Sequence, residues 1–222
     1  MQNLSIFQSI VIYAIPALLA ITVHEASHGY AARFLGDRTA EMLGRLTLNP
    51  LKHIDPVGTV VVPLALLAMA KITGGPLFLF GWAKHVPVAA RNFKKPRRDM
   101  AIVAAAGPGS NIAMAAIWTL VLIIASTMGR GAGTAELLLY MAYFGVFFNV
   151  ILAVFNMLPI PPLDGGRVLS GFLSPRTAAS FDHVEPYGLM IIVALMVLGV
   201  LWKIVGPIIM IVAGFFFGLA GI

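Results

Sequence analysis

Two histidines and a glutamate in one short stretch of the chain could bind and use a metal ion. His24, Glu25 and His28 form the pattern H-E-x-x-H. If the stretch is helical, the histidines lie one turn apart on one face, where both imidazoles can reach a single Zn²⁺ ion. Glu25 then lies beside the metal, where a general base is needed. The alternative is a chance pair of core histidines, which a chain with five His and four Glu makes rare.

The composition places this motif in a membrane protein. Of the 222 residues, 59% are hydrophobic and 11% are charged, and the mean hydropathy is +0.93. This is too apolar for a water-soluble domain of that size. Several uncharged runs approach the roughly 20 residues that cross a bilayer. We therefore expect an all-α polytopic membrane protein, with residues 1–222 forming a single integral-membrane domain.

The apolar runs predict a bundle of about five or six transmembrane helices. The first run leads directly into His24 and lacks the basic start and the cleavage site of a signal peptide, so the metal motif lies inside a retained helix. One or two more helices are expected in residues 187–222, interrupted at Lys203 to Pro207, outside a core of residues 4–167. The clear runs are Leu4 to Val23, Met100 to Met128 and Ala135 to Leu158.

The net charge of +6 comes from basic residues that flank the apolar runs. Such clusters mark cytoplasmic loops, so the expected partner is the lipid bilayer with its anionic headgroups, and not nucleic acid. With the N-terminus outside, most of the Lys and Arg residues can lie in the cytoplasm, and the metal site opens towards it. These residues are Arg33, Arg38, Arg45, Lys52, Lys84, Arg91, Lys94, Lys95, Arg97, Arg98, Arg167 and Arg176.

This arrangement requires the segment Val57 to Val88 to enter and leave the membrane on the same side. Val57 to Ile72 is short for a span, and the turn signal Thr73-Gly74-Gly75-Pro76 follows it. We predict a re-entrant hairpin whose returning limb, Leu77 to Val88, is extended. The unpaired edge of that limb could bind an unwound substrate strand. The alternative is a tilted ordinary span with an external loop.

A catalytic zinc ion needs a third protein ligand. Asp164 stands out because it follows a proline-broken helix and precedes the pair Gly165-Gly166, which allows a tight turn. A broken helix at membrane depth is tolerated only around a cavity or a buried site. The alternative is that Asp164 caps the segment that begins at Gly165. The other candidates are Glu41, His53, Asp55, His85, Asp99, Glu136, Asp182, His183 and Glu185.

Asparagines in the predicted spans are the remaining polar candidates. Asn111 ends the small-residue stretch Ala106 to Ser110, which we interpret as a helix-packing surface. Asn111 is the residue of this region that we expect to have a polar role at the site, as a candidate for substrate binding. Asn149 and Asn156 lie in the next span, and either could form a hydrogen bond between helices.

Three motifs in this order resemble the site-2 protease family of intramembrane zinc metalloproteases: His24-Glu25-x-x-His28, Ala106-Gly107-Pro108, and Asn156-x-x-Pro159 leading into Leu163-Asp164-Gly165-Gly166. The resemblance implies one Zn²⁺ held by His24, His28 and Asp164, with Glu25 as general base and Asn156 near the substrate. Residues 81–88 resemble a segment of small bacterial members. We find no resemblance to the PDZ or CBS domains that many members carry.

The expected function is therefore a zinc-dependent endopeptidase in the cell membrane. Its partners would be transmembrane proteins, such as membrane-bound transcriptional regulators, whose helices must unwind to expose a carbonyl group. The alternative class is a non-hydrolytic membrane protein, either a metal carrier or an inactive protease homologue. A carrier needs ligands along a path, whereas the ionisable residues of the predicted spans gather at one place. An inactive homologue would be expected to lack Glu25.

Overall fold

The structure is a computed structural model that describes residues 5–73, 81, 84–128 and 133–222. In this part of the chain we find nine α-helices and no β-strand, so the all-α prediction is confirmed. Short 3-10 turns at Pro50–Lys52 and Ala90–Asn92 and a π-helical turn at Pro56–Val61 lie in the connections. The helices are α1 (Ile6–Phe34), α2 (Thr39–Met42), α3 (Val62–Thr73), α4 (Pro96–Thr127), α5 (Gly133–Asn156), α6 (Asp164–Phe172), α7 (Pro175–Asp182), α8 (Glu185–Val197) and α9 (Val200–Leu219).

Four of these helices, α1, α4, α5 and α9, are long and apolar enough to cross a membrane. Helices α7 and α8 form a fifth span if they are taken together, although they meet at 62°. Large apolar side chains such as Phe7, Ile124 and Ile211 point outwards and are exposed, as lipid-facing residues must be. The protein is therefore an integral membrane protein whose described residues provide four to five candidate spans, and the upper count agrees with the predicted five or six.

The main core lies between α4, α5 and α9, and α1 packs against α4 and α5. Small residues bring these helices close together. A Cβ atom on Gly145 of α5 would lie 2.6 Å from Cγ of Trp118 on α4, so only glycine fits over that indole ring. The C-terminal helices pack into the same core through Ile192, Leu201, Val205, Ile209, Ala213 and Phe216.

The C-terminal apolar segment breaks earlier than the sequence analysis expected. Gly199 has a φ angle of 69°, a left-handed conformation that separates α8 from α9. Helix α9 then continues through Lys203, Gly206 and Pro207, where we had placed the interruption. A proline inside a membrane helix is tolerated because neighbouring groups can satisfy the carbonyl that it leaves unpaired.

The segment predicted to form a hairpin begins and ends at the same end of the molecule. Helix α3 has 12 residues, about 18 Å, which is too short to cross roughly 30 Å of hydrocarbon. The two ends of the segment lie side by side, since the Lys84 N–H donates to the His53 carbonyl over 2.9 Å. Residues 84–88 of the returning limb are not helical. The predicted turn at residues 74–76 lies outside the described residues.

Candidate metal centre

The H-E-x-x-H motif lies in the second half of α1, on the face that packs against α4. His24 and Glu25 are only 7% and 5% exposed. The imidazole rings of His24 and His28 lie edge to face, with their centroids 4.7 Å apart. Ionisable side chains inside a spanning helix are costly unless they have partners, so the surroundings of these three residues decide what they can do.

Asp164 is the first residue of α6, directly after the proline-broken chain that leaves α5. The two glycines after it let α6 pack tightly against that chain: a Cβ atom on Gly166 would lie 2.6 Å from the backbone nitrogen of Pro161. No described N–H group of α6 donates to the Asp164 side chain, so this carboxylate does not cap its own helix. It faces His24 and His28 instead.

Three potential ligand atoms meet at one point. The two Nε2 atoms of His24 and His28 lie 3.1 Å apart. Oδ2 of Asp164 lies 3.2 Å from the first of them and 3.4 Å from the second. Tetrahedral zinc with bonds of about 2.0–2.1 Å has ligand atoms about 3.3 Å apart, because the edge of a tetrahedron is about 1.63 times the bond length. The three atoms therefore have the spacing of one face of a zinc tetrahedron.

The protonation pattern also fits a cation. Nδ1 of His28 lies 2.7 Å from the Val103 carbonyl oxygen, which can only accept, so Nδ1 carries the hydrogen and Nε2 of the neutral ring offers a lone pair. Oδ2 of Asp164 is buried and has no hydrogen-bond donor among the described residues. Acceptor atoms that face one another in this way repel unless a cation lies between them.

The Glu25 carboxylate is held by the non-helical segment that follows residue 83. Its Oε2 accepts a hydrogen bond of 3.0 Å from the Val86 N–H, and Oε1 lies 3.2 Å from Nδ1 of His85. Val86 is buried, whereas the His85 side chain is 80% exposed. The hydrogen bond with Glu25 raises the pKa of His85 above its ordinary value. Sequence reasoning placed His85 among the possible ligands and gave no sign of the Val86 N–H, since every residue but proline carries the same group.

A buried carboxylate outside the membrane spans fixes this segment to the end of α1. Asp37 is 1% exposed, and its oxygens accept hydrogen bonds of 2.7 Å from both the Ala89 N–H and the Asn92 side-chain amide. A third comes from the Thr39 N–H over 3.1 Å. Burial raises the pKa of Asp37, but its hydrogen bonds, first of all the one from the Thr39 hydroxyl, hold the pKa below its ordinary value. The sequence analysis did not single out Asp37.

Gly107 brings α4 into contact with both histidines. A Cβ atom at this position would lie 2.7 Å from Cε1 of His24 and closer still to Nε2 of His28. The small-residue stretch is therefore a packing surface, and at Gly107 it packs against the candidate ligands themselves. Gly109, one half-turn further along, would meet nothing within 4 Å.

The two asparagines proposed for substrate binding occupy different surroundings. Asn111 is fully buried, and its Oδ1 lies 2.6 Å from Nδ1 of His24, so it contacts a candidate ligand rather than an open cleft. Asn156 is half-buried at the end of α5, and its Nδ2 donates to the Leu152 carbonyl over 3.0 Å. Among the described residues, Asn156 makes no hydrogen bond with His24, His28 or Asp164.

The other candidate third ligands lie elsewhere. In the part of the chain that the structure describes, His24, His28 and Asp164 form the one group whose ligand atoms converge. The remaining candidates with described partners are used locally. Glu41 pairs with Arg33 and Arg38, His53 contacts the Thr47 carbonyl, Asp55 caps the turn at Pro56–Val61, Asp99 accepts from the Lys95 N–H, Glu136 accepts from the Tyr140 hydroxyl, and Glu185 pairs with Arg167.

Fold and site together define an integral membrane protein with a buried H-E-x-x-H motif and a converging carboxylate. Residues 127–199 match the model of peptidase family M50. The chain is also 37% identical over 185 residues to "Putative zinc metalloprotease YwhC" of Bacillus subtilis, a match that covers 82% of this chain and 78% of that protein. The chain belongs to peptidase family M50, the site-2 protease family.

Two further relatives are both named "Putative zinc metalloprotease Rip2". This chain is 32% identical over 183 residues to the protein of Mycolicibacterium smegmatis, which covers 81% of this chain and 64% of that protein. It is 27% identical over 180 residues to the protein of Mycobacterium tuberculosis strain H37Rv, covering 80% and 63%. The chain thus spans somewhat less than two thirds of the length of the Rip2 proteins. No solved structure matches the chain.

Proposed function

We propose that this protein is a zinc-dependent endopeptidase that cleaves peptide bonds within or next to membrane helices. The observation that carries the proposal is the triangle of Nε2, Nε2 and Oδ2 atoms, 3.1–3.4 Å apart, beside a buried glutamate in a membrane-spanning helix. His24, His28 and Asp164 would hold a single Zn²⁺ ion. The names of the relatives, which are those of zinc metalloproteases, support this choice of metal and reaction.

Glu25 would act as the general base. Zinc in such a site supplies Lewis acidity, which polarises a peptide carbonyl and makes water acidic enough to lose a proton near neutral pH. The Glu25 carboxylate takes that proton and later passes it to the leaving amine. Because the Val86 N–H holds Oε2, the carboxylate is prevented from rotating away from the site. Its burial keeps bulk water from competing for the proton.

The substrate would bind as an unwound strand along residues 84–88. A transmembrane helix hides its carbonyl groups in hydrogen bonds to its own backbone, so it must unwind locally before cleavage. The N–H groups of His85 and Val88 find no acceptor among the described residues, and they could pair with such a strand. Membrane-bound transcriptional regulators are the substrate class that the family suggests, and Asn156 stays a candidate for contacting them.

We further propose that the site opens towards the cytoplasm from the cell membrane. The loops that carry most of the basic residues are joined at one end of the molecule. Asn92 binds Asp37, and Arg97 donates hydrogen bonds of 2.7 and 2.6 Å to the carbonyls of Ser170 and Leu173. An end with this excess of positive charge favours the cytoplasmic side.

Two variants of the detergent-purified protein test this function. Glu25→Gln keeps all three candidate ligands, so it should retain one bound zinc and lose at least about 10²-fold in the rate of cleavage of a membrane substrate. Asp164→Ala removes a ligand and should lose zinc as well as activity. Zinc content measured by elemental analysis, together with a cleavage assay, separates the two effects.

The same measurements can refute the proposal. Near-normal turnover by Glu25→Gln would remove Glu25 from the mechanism. Unchanged zinc content in Asp164→Ala would remove Asp164 from the metal site. A wild-type protein that binds zinc but cleaves no membrane substrate would instead favour the non-hydrolytic class.

A further inference from the structure

A chain of buried hydrogen bonds joins the candidate metal site to α5, a helix that supplies none of the three ligands. Oδ1 of Asn111 on α4 lies 2.6 Å from Nδ1 of His24. Nδ2 of Asn111 donates to Oδ1 of Asn149 over 2.9 Å, and Nδ2 of Asn149 donates to the Gly145 carbonyl over 2.8 Å. Asn111 and Asn149 are both 0% exposed. The path therefore runs from the backbone of α5 to one imidazole ring.

The direction of every hydrogen bond in this path follows from its backbone end. The Gly145 carbonyl can only accept, so the Asn149 group that faces it must be the NH₂ group. The Asn149 oxygen then points at Asn111 and accepts from the NH₂ group of that residue. The Asn111 oxygen is left facing His24, and the Nδ1 atom of His24 must carry a hydrogen to donate to it. In the neutral ring, Nε2 therefore offers its lone pair to the candidate metal site.

The Asn111 amide could fit the same space in the opposite orientation, and that orientation would prevent His24 from binding a metal through Nε2. With its NH₂ group towards Nδ1, Asn111 would require a lone pair there, and the hydrogen of His24 would move to Nε2. The Nε2–H group would then point at Asp164 and His28, where a metal ligand needs a lone pair. The flip would also lose the hydrogen bond of Asn111 to the Ala20 carbonyl, 3.3 Å long, and would bring two amide oxygens together at Asn149.

His28 does not need such a path. Its Nδ1 donates directly to the Val103 carbonyl over 2.7 Å, and a backbone carbonyl has no second orientation. At His24 the corresponding partner is a side-chain amide whose two ends have nearly the same shape. At His24, therefore, the tautomer of the ring depends on the groups that orient Asn111, which are the Asn149 oxygen, 2.9 Å away, and the Ala20 carbonyl, 3.3 Å away.

We propose that Asn149 is a positioning residue for the metal site, which sets the tautomer and orientation of His24 through Asn111. This inference rests on the proposed zinc function. The alternative is that Asn149 only holds α4 and α5 together, as buried asparagines in membrane helices do. The two roles differ in what they predict for the imidazole: a purely structural asparagine leaves the His24 tautomer unchanged.

The first test compares zinc affinity, measured by competition with a chromogenic chelator on the full-length protein in detergent. The variants are Asn149→Ala, Asn111→Ala and the double replacement. Loss of a partner that orients a metal-binding histidine typically weakens metal binding about 10- to 100-fold. We expect a loss of this size for each single variant. Because Asn149 acts through Asn111, the double variant should be no weaker than Asn111→Ala.

Thr119→Val is the matched control. Thr119 is also buried on α4, and its hydroxyl donates only to the Ala115 carbonyl of the same helix, so its removal should leave zinc affinity unchanged. If Asn149→Ala does not fold, Asn149→Ser takes its place, since it keeps a short hydroxyl but cannot bridge to Asn111 as the amide does.

The second test reads the tautomer directly by ¹⁵N NMR of histidine-labelled, metal-free protein at a pH where His24 is neutral. Wild type should show the hydrogen on Nδ1, and Asn149→Ala should show a mixture. Zinc binding equal to wild type in the Asn149 variants, or an unchanged His24 tautomer, would overturn the proposed role of Asn149. Losses that add in the double variant would do the same. Absence of zinc binding by the wild type would overturn both the metal site and the role of Asn149. The other outcomes leave the proposed function intact.

Discussion

Replacing Gly107 by alanine should weaken zinc binding although it leaves all three candidate ligands in the sequence. The new methyl carbon would lie 2.7 Å from Cε1 of His24, whereas carbon atoms in contact prefer about 3.5–4.0 Å. Relief of this overlap requires the imidazoles or α4 to move by about 1 Å. Metal ligands tolerate errors of only about 0.2 Å in distance. We therefore expect zinc affinity to fall at least about 10- to 100-fold, which corresponds to about 1.4–2.7 kcal/mol.

Gly109→Ala provides the control on the same helix. An alanine Cβ at Gly109 meets nothing within 4 Å. Both replacements remove a glycine from the interior of α4 and gain the same helix propensity, about 1 kcal/mol. Any difference between the two variants therefore reports the contact with the histidines. The assay is chelator competition for zinc, together with thermal unfolding in detergent with and without zinc.

The expected pattern is specific. Gly109→Ala should bind zinc like wild type and gain the same thermal stabilisation from it. Gly107→Ala should fold but gain little stabilisation at zinc concentrations that saturate wild type, because the gain depends on the ratio of free metal to dissociation constant. If Gly107→Ala binds zinc as tightly as Gly109→Ala, the close approach of α4 to the histidines does not affect zinc binding, and this prediction is wrong.

Two further predictions concern parts of the protein outside the spans. The pKa of Asp37 is lowered in the folded state, so its stabilising effect is present above its ordinary pKa of about 4 and is lost as pH falls towards the folded value. Asp37→Asn should be about 1–3 kcal/mol less stable than wild type at neutral pH. Its stability should fall less than that of wild type between pH 7 and pH 3, which thermal unfolding would show. An equal fall in the two proteins would contradict this prediction. A reporter enzyme that works only outside the cytoplasm should be active when fused after Met128, and activity of a cytoplasmic reporter there would reverse the proposed orientation.

The three candidate ligands could be predicted from the sequence for different reasons. His24 and His28 are four residues apart in one helix, so their convergence follows from helix geometry alone. Asp164 lies far along the chain, and its place follows only from the broken helix and from the ordered motifs of the family. The contacts of Asn111 and Gly107 with the histidines depend on how α4 is rotated against α1. Spacing along the sequence does not determine that rotation.

Some features could not be predicted because the residues involved carry no distinctive sign. The chain has 22 glycines, and nothing local separates Gly199, which ends α8 with a φ angle of 69°, from the glycines inside helices. Pro207 looked like a stronger break, yet α9 runs through it. In membranes the helix is the main way to satisfy backbone groups, so the rule that proline ends a helix is weaker there than in water.

The contacts of the site divide it into a part that is held inside the packed core and a part that is covered by a non-helical segment. His24 and His28 are held from α4 by partners inside the packed core, and Asp164 is held by the close packing of α6 at Gly166. Glu25, in contrast, is covered by a segment whose anchors lie outside the spans. One of these anchors is the Asp37 carboxylate, which is 1% exposed, so the segment is held by buried hydrogen bonds. If the protein cleaves membrane helices as proposed, the substrate strand has to reach the metal beside this cover. We therefore expect residues 84–88 to keep their hydrogen bond with Glu25 and to receive the strand at the N–H groups of His85 and Val88, while the triangle of candidate ligand atoms keeps its shape.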